Sequence, residues 1–424
     1  MKKRVYQAVT IKKVSNEKLL ELTLDKRIVF SVDAAKEVFF GALLTEEKVV
    51  LQTIKWRSPD DVEQMLDLLE GLRAKRLEVV LEPTGTYGDA FREQAQKRGF
   101  LIYLMSPKRV YDAREIFDGV PSSHDAKAAS IIGKLHLDGL SKPWPEKSEK
   151  QRQLAAALSM ADIYYRQYHD NLNRLEAQLA RVWPELPGIL PLTSASLPAL
   201  LMSYGGPHKA VADAQNVRDL LKKASNSALS HSKLEKVIAG AANTIGAEMI
   251  REEEDAIEKL AAEIERNRLS LRESRKAVER IMSSSDLTEG IKKMSAAAGA
   301  ITTAILLCKL GDPTLYDSAG AWLKAAGLNL KERSSGMYKG VLKITKRGPG
   351  SVRRYLYMMA LRYIGFDEVT KRWYAKKVKR DGGKKRKAIV ALMRKLLSGL
   401  WRVGRDGVAF DSDKLFDKAK LPAV

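Results

Sequence analysis

A single cysteine, Cys308, in 424 residues excludes an intramolecular disulfide. Its place in the apolar run Ala304-Ile305-Leu306-Leu307-Cys308 suits a core residue in a reducing cytosol. Long apolar runs are also missing: none reaches the ~18 residues that a membrane-spanning helix needs. The basic start, Met1-Lys2-Lys3-Arg4-Val5-Tyr6, is not followed by the apolar stretch of a secretion signal. The expectation is a soluble, intracellular protein with no membrane partner. Acids are scarce too, 52 Asp and Glu against 74 Lys and Arg, for a net charge of +22. Hydrophobic residues nevertheless make up 45%, enough for two or three domains with sizeable cores.

The positive charge is unevenly spread. From Lys331 onward there are 26 Lys and Arg against 8 Asp and Glu, so 18 of the 22 surplus charges lie in the last stretch. Trp373, Tyr374 and Trp401 are interleaved there with Lys371, Arg372, Lys376, Lys377, Lys379, Arg380, Lys384, Lys385, Arg386, Lys387, Arg394 and Arg402. A solvated basic face is the bland reading of a charge run. Cations mixed with aromatics suit phosphate pairing with some base or sugar stacking, so the expected partner is nucleic acid.

The first third of the chain reads as α/β. Apolar, β-branched runs at Arg27–Asp33, Glu37–Leu44, Lys48–Ile54, Arg76–Leu81 and Phe100–Met105 predict five strands, with helical periodicity between residues 59 and 72. Asp33 closes the first run. A lone carboxylate in a β-core is either a turn residue on an edge strand or a metal ligand, because burying an unpaired charge costs several kcal/mol. Glu82 ends the fourth strand, ahead of the Pro83-Thr84-Gly85-Thr86-Tyr87 turn. Asp125, in His124-Asp125-Ala126-Lys127, stands just before an apolar helical stretch, where an acid serves as a helix cap or as a ligand. Three carboxylates would offer hard oxygen donors, which select Mg²⁺ or Mn²⁺ over zinc.

The middle is organised by heptads. Leu154, Ala161, Tyr168, Leu175 and Val182 fall seven apart, and Leu158, Tyr165, Leu172 and Leu179 complete the seam. A second run, Ile250, Ile257, Ile264, Leu271 and Val278, has a mixed companion of Leu260, Asn267, Ser274 and Ile281. Long coiled-coil helices are expected, paired within one chain or across protomers, and with them a homo-oligomer, a dimer or tetramer. Pro184 to Ala247 reads as helical with Pro, Gly and Ser breaks. After Gly290 come a small-residue segment from Ala298 to Ala304, then Leu310-Gly311-Asp312, Ala326-Gly327-Leu328, Ser335-Gly336, Ile344-Thr345-Lys346-Arg347-Gly348 and Arg353-Arg354-Tyr355-Leu356.

Strand-borne Asp33, the Glu82 turn, Ser106-Pro107 and the His124-to-Lys127 motif together resemble the RuvC-like, ribonuclease-H-fold domain of the DEDD transposases of the insertion sequence 110 family. The order and spacing of the later motifs resemble the transposase domain of that family. The likeness runs from about Arg27 to about Tyr363. It implies an α/β plus all-α architecture: an N-terminal arm (1–26), a RuvC-like domain (27–146), a coiled-coil or helical region (147–286), a helical transposase domain (287–370) and a basic tail (371–424).

The resemblance also implies an activity: DNA strand cleavage and exchange through a phosphoserine intermediate, on donor and target DNA. It implies guidance by an element-encoded bridge RNA and a cytoplasmic, nucleoid-associated setting in bacteria. Asp33, Glu82 and Asp125 map to the metal-binding acids and Ser335 to the attacking serine, which in isolation reads as a turn residue with Ser334 as its neighbour. Lys346, Arg347, Arg353 and Arg354 follow closely and add to the expected nucleic-acid contacts. Two departures stand out. Ala128 occupies the position of a fourth acid, which leaves metal count and catalytic competence open, and Leu330 stands where a proline is usual. The alternatives are a metal-dependent endonuclease of Holliday-junction-resolvase type, with water attacking, and a catalytically degenerate relative that only binds.

Overall fold

β-branched and aromatic residues dominate three successive segments, β2 (Arg27–Ala34), β3 (Val38–Thr45) and β4 (Val50–Arg57), which form an antiparallel meander in the computed structural model. The structure describes residues 7–83, 85–122, 124–146, 148–284, 287–332, 340 and 342–416. The meander is preceded by a short β1 (Val9–Thr10) and followed by β5 (Arg76–Leu81), β6 (Leu101–Leu104) and β7 (Lys142–Pro143). All belong to one seven-stranded mixed sheet in the order β1-β4-β3-β2-β5-β6-β7, with β5 and β6 parallel to β2.

Helices α1 (Asn16–Thr23), α2 (Val62–Gly71), α3 (Asp89–Lys97), α4 (Pro107–Asp112) and α5 (Asp125–Leu137) cover the sheet. Pleating sends alternate residues of β2 to opposite faces. Ile28, Phe30 and Val32 join Met65, Leu66 and Leu69 of α2 and Phe91 of α3 in one core, whereas Val29 packs with Val80, Ile131, Ile132 and Leu135 under α5. Phe30, Phe39, Trp56 and Phe91 cluster with ring centroids 5.5 to 6.5 Å apart. Each such buried ring contributes about 1.5–3 kcal/mol. Residues 9–23 depart from the expected arm: Ile11 and Leu19 are buried in this core, and β1 pairs in parallel with β4. Two anchors, Ile11 in a single 3₁₀ turn and Leu19 on the short α1, are too sparse a pattern to read ahead of time. This unit ends at Glu146.

The second unit, Lys147–Val424, is helical. Two long helices dominate it, α6 (Glu149–Val182) and α12 (Arg251–Met282), with α7 to α11 between them at Leu186–Ile189, Ser196–Tyr204, Pro207–Ala212, Ala214–Ala224 and His231–Ala242. The long pair runs antiparallel. Leu154 at the start of α6 shares a core with Val278 and Met282 at the end of α12, while Val182 packs with Ile257 and Arg181 pairs with Glu253 at 2.6 Å. The leading seam of α6 is buried throughout, whereas Leu158 and Tyr165 of its companion are half-buried. Pairing within one chain thus uses the apolar faces that suggested an oligomer.

Beyond α12 lie α13 (Glu289–Ala298), α14 (Ala300–Leu310), α15 (Ala319–Ala325), a two-stranded ribbon of β8 (Leu330–Lys331) and β9 (Lys343–Ile344), then α16 (Gly350–Phe366), α17 (Glu368–Arg380) and α18 (Lys385–Asp406). Gly299 links α13 to α14 at φ +85°, a conformation that favours glycine. The basic stretch after Lys371 forms helices rather than a tail. Ile389, Leu392, Met393, Leu396, Leu397 and Leu400 of α18 sit in the same core as α13, α14 and α16. The density of Lys and Arg masks this i, i+3, i+4, i+7 stripe in the sequence. Among the described residues, no helix is long and apolar enough to cross a membrane.

Candidate active site

The parallel register of β2 and β5 pairs Ser31 with Val80 and Val32 with Leu81. One further step sets Asp33 beside Glu82, at a strand spacing of about 4.8 Å. Asp33 shares its face of β2 with Ser31, two residues earlier, and α5 covers that face. The Ser31 hydroxyl donates to the Ala129 carbonyl at 2.6 Å. Gly133 permits this close approach, because a Cβ there would meet Leu44 Cδ1 at 2.4 Å and Ser31 Oγ at 2.9 Å. Asp125, the first residue of α5, is one turn before Ala129 on the helix lying over Asp33. It is not the cap: the imidazole Nδ1 of His124 accepts from the Ala126 amide at 3.2 Å, which leaves the Asp125 carboxylate for another task. Buried Lys127 donates to Asp118 at 2.8 Å and to the Val120 carbonyl at 2.6 Å, tying the preceding loop to the first turn of α5. Half-buried Ala128 follows Asp125 by three residues, on the same side of the helix.

Electrostatics couples the acids. Burial, reinforced by repulsion from Asp125, raises the Asp33 carboxyl to about 6, with Arg114 opposing the rise. Burial and then repulsion from Asp33 push Glu82 to about 7, again opposed by Arg114. Asp33 is therefore the shared member, repelled from both sides. Arg114 follows α4 and stacks 4.7 Å over the Tyr111 ring. Nothing in its sequence surroundings singles it out, since its nearness to the acids arises only through the fold.

Among the described residues, no three His, Cys, Asp or Glu side chains are gathered into a complete ligand set. The donor chemistry still fits Mg²⁺ or Mn²⁺, since Mg²⁺ is commonly held by one or two carboxylates, with waters and substrate phosphates filling the other positions. Desolvated, mutually repelling acids are groups whose charge a divalent cation would neutralise.

Two family models match this chain. One for DEDD transposases of the IS110 group, described as Transposase, matches residues 30–184, which include Asp33, Glu82 and Asp125. Another, described as Transposase IS116/IS110/IS902 family, matches residues 294–375. Together they span more than half of the sequence. The chain belongs to the IS110 family of transposases. It is accordingly an enzyme that cleaves and rejoins DNA. A comparison with curated proteins returned no significant match.

In this transposase Ser335, like its neighbour Ser334, lies outside the described residues. It belongs to the segment joining β8 to β9, where Leu330 pairs with Ile344 and Lys331 with Lys343. Leu330, at the position usual for proline, is thus part of a strand. Beside this ribbon a groove of about 1290 Å³ is lined by Lys331, Lys343 and Lys346 on one side and by Lys377, Arg380, Arg386, Lys387, Arg394 and Lys395 from α17 and α18, with Lys414 beyond. Trp373 also lines it. The Lys395 ammonium lies 5.9 Å from the Trp373 ring and donates to the Leu415 carbonyl at 2.9 Å, and burial holds its pKa below the usual lysine value.

Of the basic residues expected to bind nucleic acid, Lys346, Lys377, Arg380, Arg386, Lys387 and Arg394 line this groove. Arg347, Lys371, Arg372, Lys376, Lys384 and Lys385 do not. Two more are occupied in holding the fold together. Arg353 donates to the carbonyls of Gly348 at 2.8 Å and Ala326 at 3.2 Å. Arg354 pairs with Asp162 at 3.0 Å and stacks on Tyr165 and Tyr355. Lys331, Lys343, Lys395 and Lys414 line the groove without having been expected from the sequence. On α18, the spacing of Lys387, Arg394 and Lys395 marks a shared face that helical periodicity could have revealed.

Proposed function

We propose that this transposase cleaves and exchanges DNA strands with Asp33, Glu82 and Asp125 holding a divalent cation and Ser335 forming a covalent link to DNA. The observation that carries the metal assignment is the placement of Asp33 beside Glu82 at two strand ends, under the helix that begins with Asp125. When bound, Mg²⁺ or Mn²⁺ would supply Lewis-acid stabilisation of phosphate charge.

The chain's own residues supply the rest. The Ser335 hydroxyl loses its proton as its oxygen bonds to phosphorus, the phosphodiester P–O bond breaks, and the departing strand end takes up a proton as a hydroxyl. The reverse step joins the phosphate to a new strand end and frees the serine. A serine hydroxyl is a weak nucleophile, so the lysines near Ser335 in sequence, Lys331, Lys343 and Lys346, serve this reading as electrostatic support for the phosphate. A bridge RNA would select donor and target by base pairing, with the protein reading backbone and shape, inside a dimer or tetramer at the nucleoid.

Ala128 favours a second reading, a degenerate relative that binds without cutting. A resolvase-like nuclease, with water attacking, leaves no protein–DNA link. Cleavage of a supercoiled donor plasmid, with RNA supplied, separates the three. The proposal expects cutting by the unmodified protein that is lost in Asp33→Ala and in Ser335→Ala; the nuclease retains cutting in Ser335→Ala, and the binder does not cut even when unmodified.

A further inference from the structure

The groove beside the β8–β9 ribbon has a feature that general DNA binding does not require: cations stand on both of its walls. Lys343 and Lys346 line the ribbon side, and Arg386, Lys387 and Arg394 the α18 side, with no Asp or Glu among the described lining residues. Asp381, between α17 and α18, pairs with Lys377, Arg380 and Lys387; the remaining like charges around one space repel each other unless a polyanion lies between them. The floor is of another character, with Leu323, Ile344, Val390 and Leu415 contributing apolar surface. Basic walls over an apolar, partly aromatic floor match a chain of phosphates carrying flat, apolar-faced bases.

Size narrows the occupant. Clefts for small ligands run to roughly 300–1,000 Å³, and this space of about 1290 Å³ takes a few nucleotides of one strand. Duplex readers instead bury ~1,000–2,500 Å² of protein surface over a broad face. The position of the groove indicates DNA: Lys331 and Lys343, both lining residues, are the two ends of the ribbon whose connecting segment contains Ser335.

We propose that this groove holds a single strand of DNA, its phosphates between the two basic walls and its bases toward the apolar floor. This rests on the reading of the chain as a strand-cleaving transposase.

The test uses the full-length protein and fluorescence anisotropy with a 12-nucleotide oligothymidylate, the matching duplex, and oligouridylate of equal length. Lys343, Lys346, Arg386 and Lys387 are exposed or half-exposed, so the pairs Lys343→Glu/Lys346→Glu and Arg386→Glu/Lys387→Glu should leave the melting curve intact. Each pair should weaken single-stranded DNA binding at least tenfold and flatten its salt dependence by about 0.7 in log–log slope for each phosphate no longer neutralised. Lys222→Glu/Lys223→Glu, on exposed positions of α10, should change it less than twofold. The proposal is overturned if that control weakens binding as much, if the duplex loses more affinity than the strand, or if only RNA binding falls. Ser335→Ala separates this proposal from the wider one. If Ser335→Ala still cuts while the groove variants lose the strand, the serine fails and the groove stands; if groove variants bind and cut normally while Ser335→Ala is inactive, only the groove fails.

Discussion

Asp33 and Glu82 end two parallel strands one register step beyond the Val32–Leu81 pair, and each raises the cost of ionising the other. This pairing makes two otherwise ordinary carboxylates into a site. The strand ends would be destabilised by it unless something cationic were supplied. Arg114 provides part of that compensation, which leaves room for a divalent ion.

The pH dependence follows in sign. A carboxyl whose pKa is raised on folding stays protonated in the folded state after the unfolded chain has ionised. Its contribution to stability is therefore fully present in acid, and is lost as pH climbs through about 6 for Asp33 and about 7 for Glu82. With chelator present, Asp33→Asn should stabilise the protein at pH 8 relative to pH 4.5 by about 1–2 kcal/mol, a figure reduced for partial solvent screening. Millimolar Mg²⁺ should stabilise the unmodified protein at pH 8 and not the variant. Thermal melts at the two pH values, with and without metal, measure both effects; identical pH profiles for the two proteins would dismiss the coupled site.

Ala128 offers a gain-of-function test. It is one turn along from Asp125 on the helix over Asp33, so Ala128→Asp adds a fourth acid to the cluster. The Mg²⁺ concentration giving half-maximal DNA cleavage should fall severalfold, because each added carboxylate strengthens a hard-cation site. Metal titration of cleavage is the measurement. If cutting occurs only in Ala128→Asp, the unmodified chain is the degenerate binder instead.

Arg354 should prove structural. Its guanidinium joins α16 to α6 through Asp162 and stacks on two tyrosines. Arg354→Met is expected to cost about 1–2 kcal/mol of stability, in the range for a hydrogen-bonded charge and a cation–π contact. DNA affinity in low salt should stay within twofold of the unmodified protein. A tenfold loss of affinity without a change in melting temperature would return Arg354 to the DNA interface.

The long helices make a contrasting prediction. Leu172 and Leu175 are buried inside one chain, against residues of α12 and the intervening helices. Leu172→Glu with Leu175→Glu should therefore unfold the second unit, since an unpaired charge in such a core costs several kcal/mol. Circular dichroism and light scattering distinguish this from the alternative, a well-folded species of smaller mass, which would mean that the seam is an interface between copies.

Local signals were readable where chemistry and periodicity coincide. The apolar runs around Asp33 and Glu82 marked their strands, and the heptads from Leu154 to Val182 marked α6 to within about a turn at each end. Relationships between distant segments were not. No local pattern sets the register that brings Glu82 to Asp33, or the release of Asp125 from capping by His124. The partner of α6 is equally hidden, because the same heptads serve a hairpin and an oligomer alike. After Lys371 charge density misled: α18 carries its apolar stripe beneath long cationic side chains whose stems cover it. Arg353 and Arg354 misled in the opposite way, since an arginine bound to backbone carbonyls or an aspartate looks the same in sequence as one facing a phosphate.

The most direct measurement is the mapping of the DNA–protein link. The unmodified protein would be incubated with donor DNA, RNA and Mg²⁺, quenched under denaturing conditions, digested and analysed by mass spectrometry. The account predicts a phosphonucleotide on the peptide containing Ser335, abolished by Ser335→Ala and by Asp33→Ala. Cleaved DNA with free ends and no peptide attached, or an adduct that persists in Ser335→Ala and maps to Ser334, would contradict it.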